Sequence, residues 1–305
     1  MTIAFITHPD CLFHEIDEEH PECAARLNAI QDQVIASGLD IAMEYFEAPL
    51  ATQEQLSRVH DDKYIETIFQ QAPDIGRIIL DSDTSMNPHS LNAALRSSGA
   101  VIHAVDLLQT GKTSSAFCSI RPPGHHAEKS DAMGFCIFNN IAIGAAHALE
   151  HYGMKRIAIV DIDVHHGNGT EDIFENESRI LFCSSFQHPY YPFTNLENHA
   201  DNIIKIPLKA GSGGIEFRQK MEQDCLPRLE IFKPELILIS AGFDGHREDD
   251  MSEINLIEED YAWITSKLVA ISRTHAQGKI ISVLEGGYAL SALGRSVVAQ
   301  MKAML

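Results

Sequence analysis

The chain of 305 residues has no block rich in lysine or arginine, and its formal net charge is −20. Nucleic-acid binding rests on basic patches that face phosphates, so that class of function is set aside. An acidic surface favours the approach of cationic partners, although many soluble proteins are acidic for solubility alone. The six cysteines (Cys11, Cys23, Cys118, Cys136, Cys183 and Cys225) include no C-x-x-C pair, which gives no zinc-finger signal. Cys118 and Cys183 sit in apolar runs and read as buried thiols of a reducing compartment. No apolar run is long enough to span a bilayer. The N-terminal MTIAFITHPD lacks a basic stretch followed by a long apolar one, so no secretory signal is expected. The expected location is cytoplasmic, with neither membrane nor nucleic acid as partner. There is no internal repeat, low-complexity tract or Pro/Ser linker, so residues 1–305 are expected to form a single domain. A chain of this length buries a large core without staples. A homo-oligomer is compatible with these features.

Several short runs are instead rich in β-branched residues and show little alternation: Ile3–Ile6, Ala116–Ile120, Arg156–Ile162, Ile180–Ser184, Leu236–Ser240 and Lys279–Leu284. Such runs read as strands buried on both faces, the mark of a parallel sheet. Helical patterns lie between them. Ser90–Gln109 ends before Gly111, Asn140–Tyr152 follows an asparagine suited to an N-cap and stops at Gly153, and Asp260–Thr274 and Leu290–Leu305 complete the set. The alternation predicts an α/β fold, a single doubly wound, mostly parallel sheet with helices on both faces.

Ligands of open α/β sheets bind beyond the carboxyl ends of the strands. Four of the predicted strands run directly into polar residues there: Arg121-Pro-Pro-Gly-His-His, Asp163-Val-His-His-Gly-Asn-Gly, Ala241-Gly-Phe-Asp244 and Glu285-Gly-Gly-Tyr288. Asp161, Asp163 and His165 are spaced by two, and alternate residues of extended backbone share a face. Asp163 and His165 can then bind one ion, with Asp244 as third ligand from another strand, and Asp161 behind them or on an alkali ion. Three protein ligands leave a position open, as in catalytic sites. His125 and His126 follow two prolines and a glycine in a loop poorly suited to a core, and Asp161 and Asn168 are available to fix their tautomers. A phenol at Tyr288 suits stabilisation of an oxyanion, although a Gly-Gly-Tyr turn alone is commonplace.

The segments R-P-P-G-H-H-A (121–127), G-F-C-I-F-N-N (134–140), D-I-D-V-H-H-G-N-G-T (161–170), S-A-G-F-D (240–244) and L-E-G-G-Y (284–288) resemble the histone deacetylase family in content, order and separation. H-P-E-C-A-A-R-L (20–27) and V-H-D-D-K-Y (59–64) resemble its N-terminal motifs, and Asn168 looks like the class II branch and its bacterial relatives. The resemblance implies the arginase–deacetylase fold and a zinc-dependent deacetylase acting on an acetylated lysine side chain or an acetylated polyamine. It makes Asp163, His165 and Asp244 the ligands of one catalytic Zn2+. His126 becomes the general base, His125 its neighbour hydrogen-bonded to Asp161, and Tyr288 the group that polarises the acyl carbonyl. A structural K+ would use Asp161, Asp163, His165 and Ser184. Gly134, Phe135 and Tyr191 would line the substrate tunnel, and Asp83 would hold substrate at its rim.

The chain also departs from the family pattern. Residues 193–201 replace a loop that is often glycine-rich, Phe186 stands where many relatives have histidine, and Met251 lies near the place of a glutamate gatekeeper in polyamine-specialised relatives. The run Glu248-Asp249-Asp250 reads as a solvated loop that could attract cations. An arginase-like ureohydrolase, with two bridged metal ions, and a non-catalytic acyl-lysine binding module are the alternatives.

Overall fold

The computed structural model describes residues 2–17, 19–197 and 200–305. Its strands are β1 (Ile3–Thr7), β2 (Met43–Glu47), β3 (Ile78–Ile79), β4 (Ser85–Met86), β5 (Ser115–Cys118), β6 (Ile157–Asp161), β7 (Ile180–Gln187), β8 (Ile203–Leu208), β9 (Leu236–Ala241) and β10 (Ile280–Leu284). β3 and β4 form a small antiparallel hairpin. The other eight make one sheet in the order β2-β1-β5-β10-β9-β6-β7-β8, and every pair in it is parallel.

All six apolar runs became strands, with ends shifted by up to three residues. Every residue of β5, β6, β7, β9 and β10 is buried, so both faces of the sheet are covered and the runs need no alternation. The sequence pattern did not reveal β2 and β8, which form the two edges. β2 (MEYFE) is partly exposed, and β8 carries Lys205 and Pro207. An edge strand tolerates both, since one side makes no ladder bonds.

The helix Ser90–Gln109 has the predicted bounds, and the others are Asn140–Glu150, Glu258–His275 and Leu290–Met304. Asn139 caps the second, its side chain accepting the Ala142 N–H at 3.1 Å. Gly111 and Gly153 follow helix ends at φ 72° and 66°, a region open to glycine at no steric cost. Helices 90–109 and 140–150 pack together, while 290–304 packs against 258–275 and against Ala25–Ala36. Among the described residues no helix is long and apolar enough to cross a membrane.

The sheet order places the site. β9 and β10 come last in the sequence but insert between β5 and β6. The four strands that lead into polar segments are therefore adjacent at the centre of the sheet. All run in the same direction, so the four segments emerge at one edge.

Candidate active site

β6 stops at Asp161, so the two-residue spacing of Asp163 and His165 does not work through extended backbone. The chain bends instead, and side chains hold the bend. Asp161 Oδ1 accepts the Asp163 N–H at 3.1 Å, and Asp163 Oδ1 accepts the His165 N–H at 2.9 Å. Each carboxylate satisfies a backbone donor that the ladder has released. Glycines allow the neighbouring strand ends to close in. A Cβ on Gly242 would lie 1.9 Å from Asp163 Oδ2, and one on Gly286 would lie 2.1 Å from Asp244 Oδ2. Asp163, His165 and Asp244 come together as a buried trio, one potential ligand atom from each lying within 4.8 Å of the others. His165 Nδ1 is 3.0 Å from Asp163 Oδ1 and 3.2 Å from Asp244 Oδ2.

The trio fits a metal cation. Asp163 Oδ2 accepts the Gly286 N–H at 2.9 Å, and Asp244 Oδ1 accepts the Val164 N–H at 3.1 Å. Asp244 Oδ2 is buried without a hydrogen-bond partner. Among the described residues no lysine or arginine pairs with either carboxylate; only histidines do. Burial and the Asp163 charge push Asp244 up to about 6. Burial opposes a charged His165, yet hydrogen bonds and charge from Asp163 and Asp244 hold it up at about 10. Buried carboxylates with only histidines as partners suit a cation, and carboxylate oxygens with an imidazole nitrogen are ligands that zinc accepts.

The histidine loop is held from below by Glu285, whose Oε2 accepts the N–H groups of Gly124 at 2.7 Å and His125 at 3.1 Å. Ser240 donates its hydroxyl to Glu285 Oε1 at 3.0 Å, and burial pushes this carboxyl up to about 7. His125 Nδ1 lies 2.9 Å from Asp161 Oδ2. A carboxylate accepts only, so Nδ1 carries a proton. Burial works against charge on His125, but Asp161 and Asp163 outweigh it and hold the imidazole up at about 10; a cation on the trio would offset the Asp163 share.

His126 is set differently. Its Nδ1 is 2.7 Å from Asn168 Oδ1, while Asn168 Nδ2 donates to Glu128 Oε1 at 2.7 Å. Glu128 thereby fixes which end of the amide faces the ring. Nδ1 must donate, which leaves the lone pair on Nε2. Burial, then the positive neighbours His125 and His165, push His126 well below its ordinary value. It is a neutral base.

A cavity of about 200 Å³ opens over these groups. Its lining contains every residue expected for substrate: Asp83, Gly134, Phe135, Tyr191 and Met251, with Tyr288 beside them. Gly134 and Phe135 both take left-handed backbone, at φ 57° and 67°. A Cβ on Gly134 would lie 2.3 Å from His126 Cδ2, so the turn presses its bare backbone against the base. Asp83 Oδ1 accepts the Gly134 N–H at 3.0 Å, and Thr84 Oγ1 accepts that of Phe135 at 3.0 Å. Asp83 thus shapes this wall. Tyr288 lies edge-on to Phe135 at 6.2 Å, and the Arg26 guanidinium sits 4.9 Å from its ring centre.

Ser184 pairs in register with Asp161 across the β6–β7 ladder, and its hydroxyl is 2.9 Å from His166 Nδ1. Phe186 is buried and packs against His166 at 4.7 Å. In the 193–201 loop, Phe193 is exposed, and Asn198 and His199 lie outside the described residues. The acidic run 248–250 is solvated at Glu248 and Asp250, as its composition suggested, but not at its middle residue. Asp249 is buried and Glu248 pairs with Arg295 at 2.8 Å.

Sequence reasoning passed over Glu285, Asp249, and the buried set of Glu22, Arg26 and Arg121. Arg26 donates to the carbonyls of Gly287 and Glu285 at 2.7 and 2.5 Å. Glu22 binds Arg121 at 2.5 and 2.7 Å and Arg26 at 3.0 Å. All of these residues were inside or next to quoted motifs, but nothing in their spacing showed that they hold backbone rather than substrate.

Comparison with known proteins agrees with this geometry. The family model of the histone deacetylase domain matches residues 20–304. An uncharacterized protein of Synechocystis sp. is 38% identical over 309 residues, covering 99% of each chain. The histone deacetylase-like amidohydrolase of Pseudomonas aeruginosa is 35% identical over 88% of this chain and 72% of its own. The polyamine deacetylase HDAC10 of Homo sapiens is 31% identical over 100% of this chain, which spans 48% of that relative. The crystal structure of the HDA15 HD domain superposes with a TM-score of 0.93 at 30% identity, covering 100% of this chain and 90% of that one. The sheet is that of the arginase–deacetylase fold, and the chain belongs to the histone deacetylase family.

Proposed function

We propose that the chain is a single-domain, zinc-dependent amidohydrolase that removes acetyl groups from lysine side chains of peptides or proteins. The observation that carries this reading is the cavity floor, where Asp163 and His165 of the buried Asp–His–Asp trio, a neutral base and a phenol line one space, with Asp244 directly behind. Asp163, His165 and Asp244 would hold one zinc ion. When bound, zinc would polarise the acyl oxygen and acidify water. His126 Nε2 takes the proton of the attacking water. His125, charged against Asp161, supports the negative charge that accumulates on the floor, and one of the two histidines returns a proton to the leaving amine. The Tyr288 hydroxyl donates to the oxyanion of the substrate as it forms. Phe135 and Tyr191 exclude water from the methylene stem. The single ligand trio found among the described residues supports one catalytic ion over an arginase-like pair. The complete set of groups supports turnover over mere binding.

Further parts of the reading are a structural K+ at Asp161, Asp163, His165 and Ser184, supported by the Asp161–Ser184 register, and a cytoplasmic location. Acetylpolyamines are the second substrate reading, favoured by the net charge of −20 and by the polyamine deacetylase relative.

The test compares turnover of acetyl-lysine peptides, acetylpolyamines and longer acyl-lysines by protein of measured metal content. Activity is expected to vanish with chelation, return with one equivalent of zinc, and be absent from Asp244→Ala together with the metal. Full turnover by protein shown by elemental analysis to be metal-free would overturn the reading.

A further inference from the structure

Tyr288 sits on a short, glycine-flanked segment between β10 and the helix 290–304. What fixes its position lies in another part of the chain. Asp249, 5% exposed, turns one carboxylate oxygen toward this segment. Its Oδ2 accepts the N–H of Tyr288 at 2.6 Å and that of Ala289 at 2.8 Å. Ala289 stands at the N-cap of the helix and makes no side-chain cap of its own. The first-turn donors of a helix lack intrahelical partners, and Asp249 meets such a need from outside. Its other oxygen, Oδ1, accepts the N–H of Met251 at 3.1 Å. One buried carboxylate therefore ties the Tyr288 segment to the Met251 loop. Both residues line the cavity.

A second fastening backs the first. Arg295, one turn into the same helix, binds Glu248 at 2.8 Å and Glu258 at 2.5 Å. The 248–251 loop and the Tyr288 helix are thus joined twice, once inside by Asp249 and once at the surface by Arg295.

We propose that Asp249 is a positioning residue for the reaction, holding the Tyr288 phenol and the Met251 wall at a fixed separation across the cavity. The proposal rests on the reading of Tyr288 as the oxyanion donor. Asp249 touches neither substrate nor ion; it acts through backbone donors. An asparagine cannot replace it, because three N–H groups need two acceptor oxygens and an amide offers one. Whichever way the amide turns, an NH2 group faces either Met251 or the Tyr288–Ala289 pair. Displacing a reacting group by about 1 Å can cost on the order of 100-fold in rate.

The experiment is a double-mutant cycle on whichever acyl-amine the substrate panel shows is turned over fastest, using zinc-loaded full-length protein. Asp249→Asn is expected to lower kcat about 10- to 100-fold, with KM within about threefold and zinc content unchanged. In the Tyr288→Phe background the same substitution is expected to lower kcat by less than about threefold, since the hydroxyl it positions is already gone. Asp249→Ser, which keeps one small acceptor, serves for the same cycle if the asparagine variant does not fold. An equal loss of kcat in both backgrounds, or an effect confined to KM, overturns the proposal and leaves Tyr288 in place. A wild-type kcat for Tyr288→Phe alone removes the reading beneath it, and the proposal with it.

Discussion

His126 can serve as a base only if its proton sits on Nδ1, and that choice is made at the far side of Asn168. Glu128 accepts from the amide nitrogen, so the amide oxygen is left for the ring. Tyr288 is governed by a different balance. Its ring is packed by Phe135 and Arg26, and burial pushes its phenol well above the ordinary value, so it stays a donor. Tyr288→Phe is expected to keep fold and metal while kcat falls about 100- to 1,000-fold with little change in KM; an unchanged kcat in steady-state assays would take the phenol out of the chemistry. Met251 lines the cavity, and in the proposed reading it would wall the substrate stem. A polyamine brings further charged amines, costly to bury without a partner, and a thioether offers none. Wild type is expected to show higher kcat/KM for an acetyl-lysine peptide than for acetylspermidine or acetylputrescine, and Met251→Glu to shift toward the polyamines. A wild-type preference of tenfold for polyamine, about 1.4 kcal/mol in the transition state, would reverse this assignment.

Among the elements, the strand ends matter more than the strands. Gly242 directly follows β9 and Gly286 lies two residues past β10, and those glycines let carboxylates of neighbouring strand ends approach. Gly286→Ala puts a Cβ 2.1 Å from Asp244 Oδ2 and 2.7 Å from Asp163 Oδ2. One of those carboxylates must move, so the variant is expected to retain its circular dichroism spectrum but bind zinc at least about tenfold more weakly, read by competition with a chromophoric chelator. Unaltered zinc affinity would show that the trio tolerates this displacement. At this scale the central strands were readable from sequence because burial on both faces enforces an unbroken apolar run. The edge strands β2 and β8 were not, since half their surface answers to solvent. Nor was the bend at 162–167: spacing by two suggested extended backbone, whereas Asp161 and Asp163 close turns on the N–H groups of Asp163 and His165.

In the whole molecule, buried polar groups join the N-terminal segment to the site. Glu22 is fully buried between Arg121 and Arg26. Burial would raise its carboxyl, but the two guanidinium charges win and bring it from 4.5 down to about 2. His14 and His60 are buried as neutral rings, and burial lowers each from 6.5 to about 4. All three have folded values below their unfolded ones. Their contributions are therefore full above the unfolded values and are lost on acidification, from about 6.5 to 4 for the histidines and from about 4.5 to 2 for Glu22. Glu285 and Asp244, held up at about 7 and about 6, work the other way over part of the same range, so urea denaturation is expected to show its clearest loss of stability below about pH 4.5, where Glu22 titrates. Glu22→Gln should be less stable at pH 7 by about 3–5 kcal/mol, because two guanidiniums lose their buried partner, and its curve should flatten below pH 4.5. A wild-type curve that Glu22→Gln follows in parallel from pH 4.5 down to about 2 would contradict this account. By itself the sequence determined the fold class, the family and the residue types at four strand ends, because parallel-sheet burial and metal-ligand chemistry each leave a local signature. Only the tertiary structure decided that those four ends are neighbours. The last two strands insert between β5 and β6, and no local pattern encodes which strand pairs with which. It alone gave Asp249, Glu285 and Glu22 their work, since a carboxylate that binds distant backbone N–H groups, or distant guanidiniums as Glu22 does, looks, along the chain, like any other acidic residue.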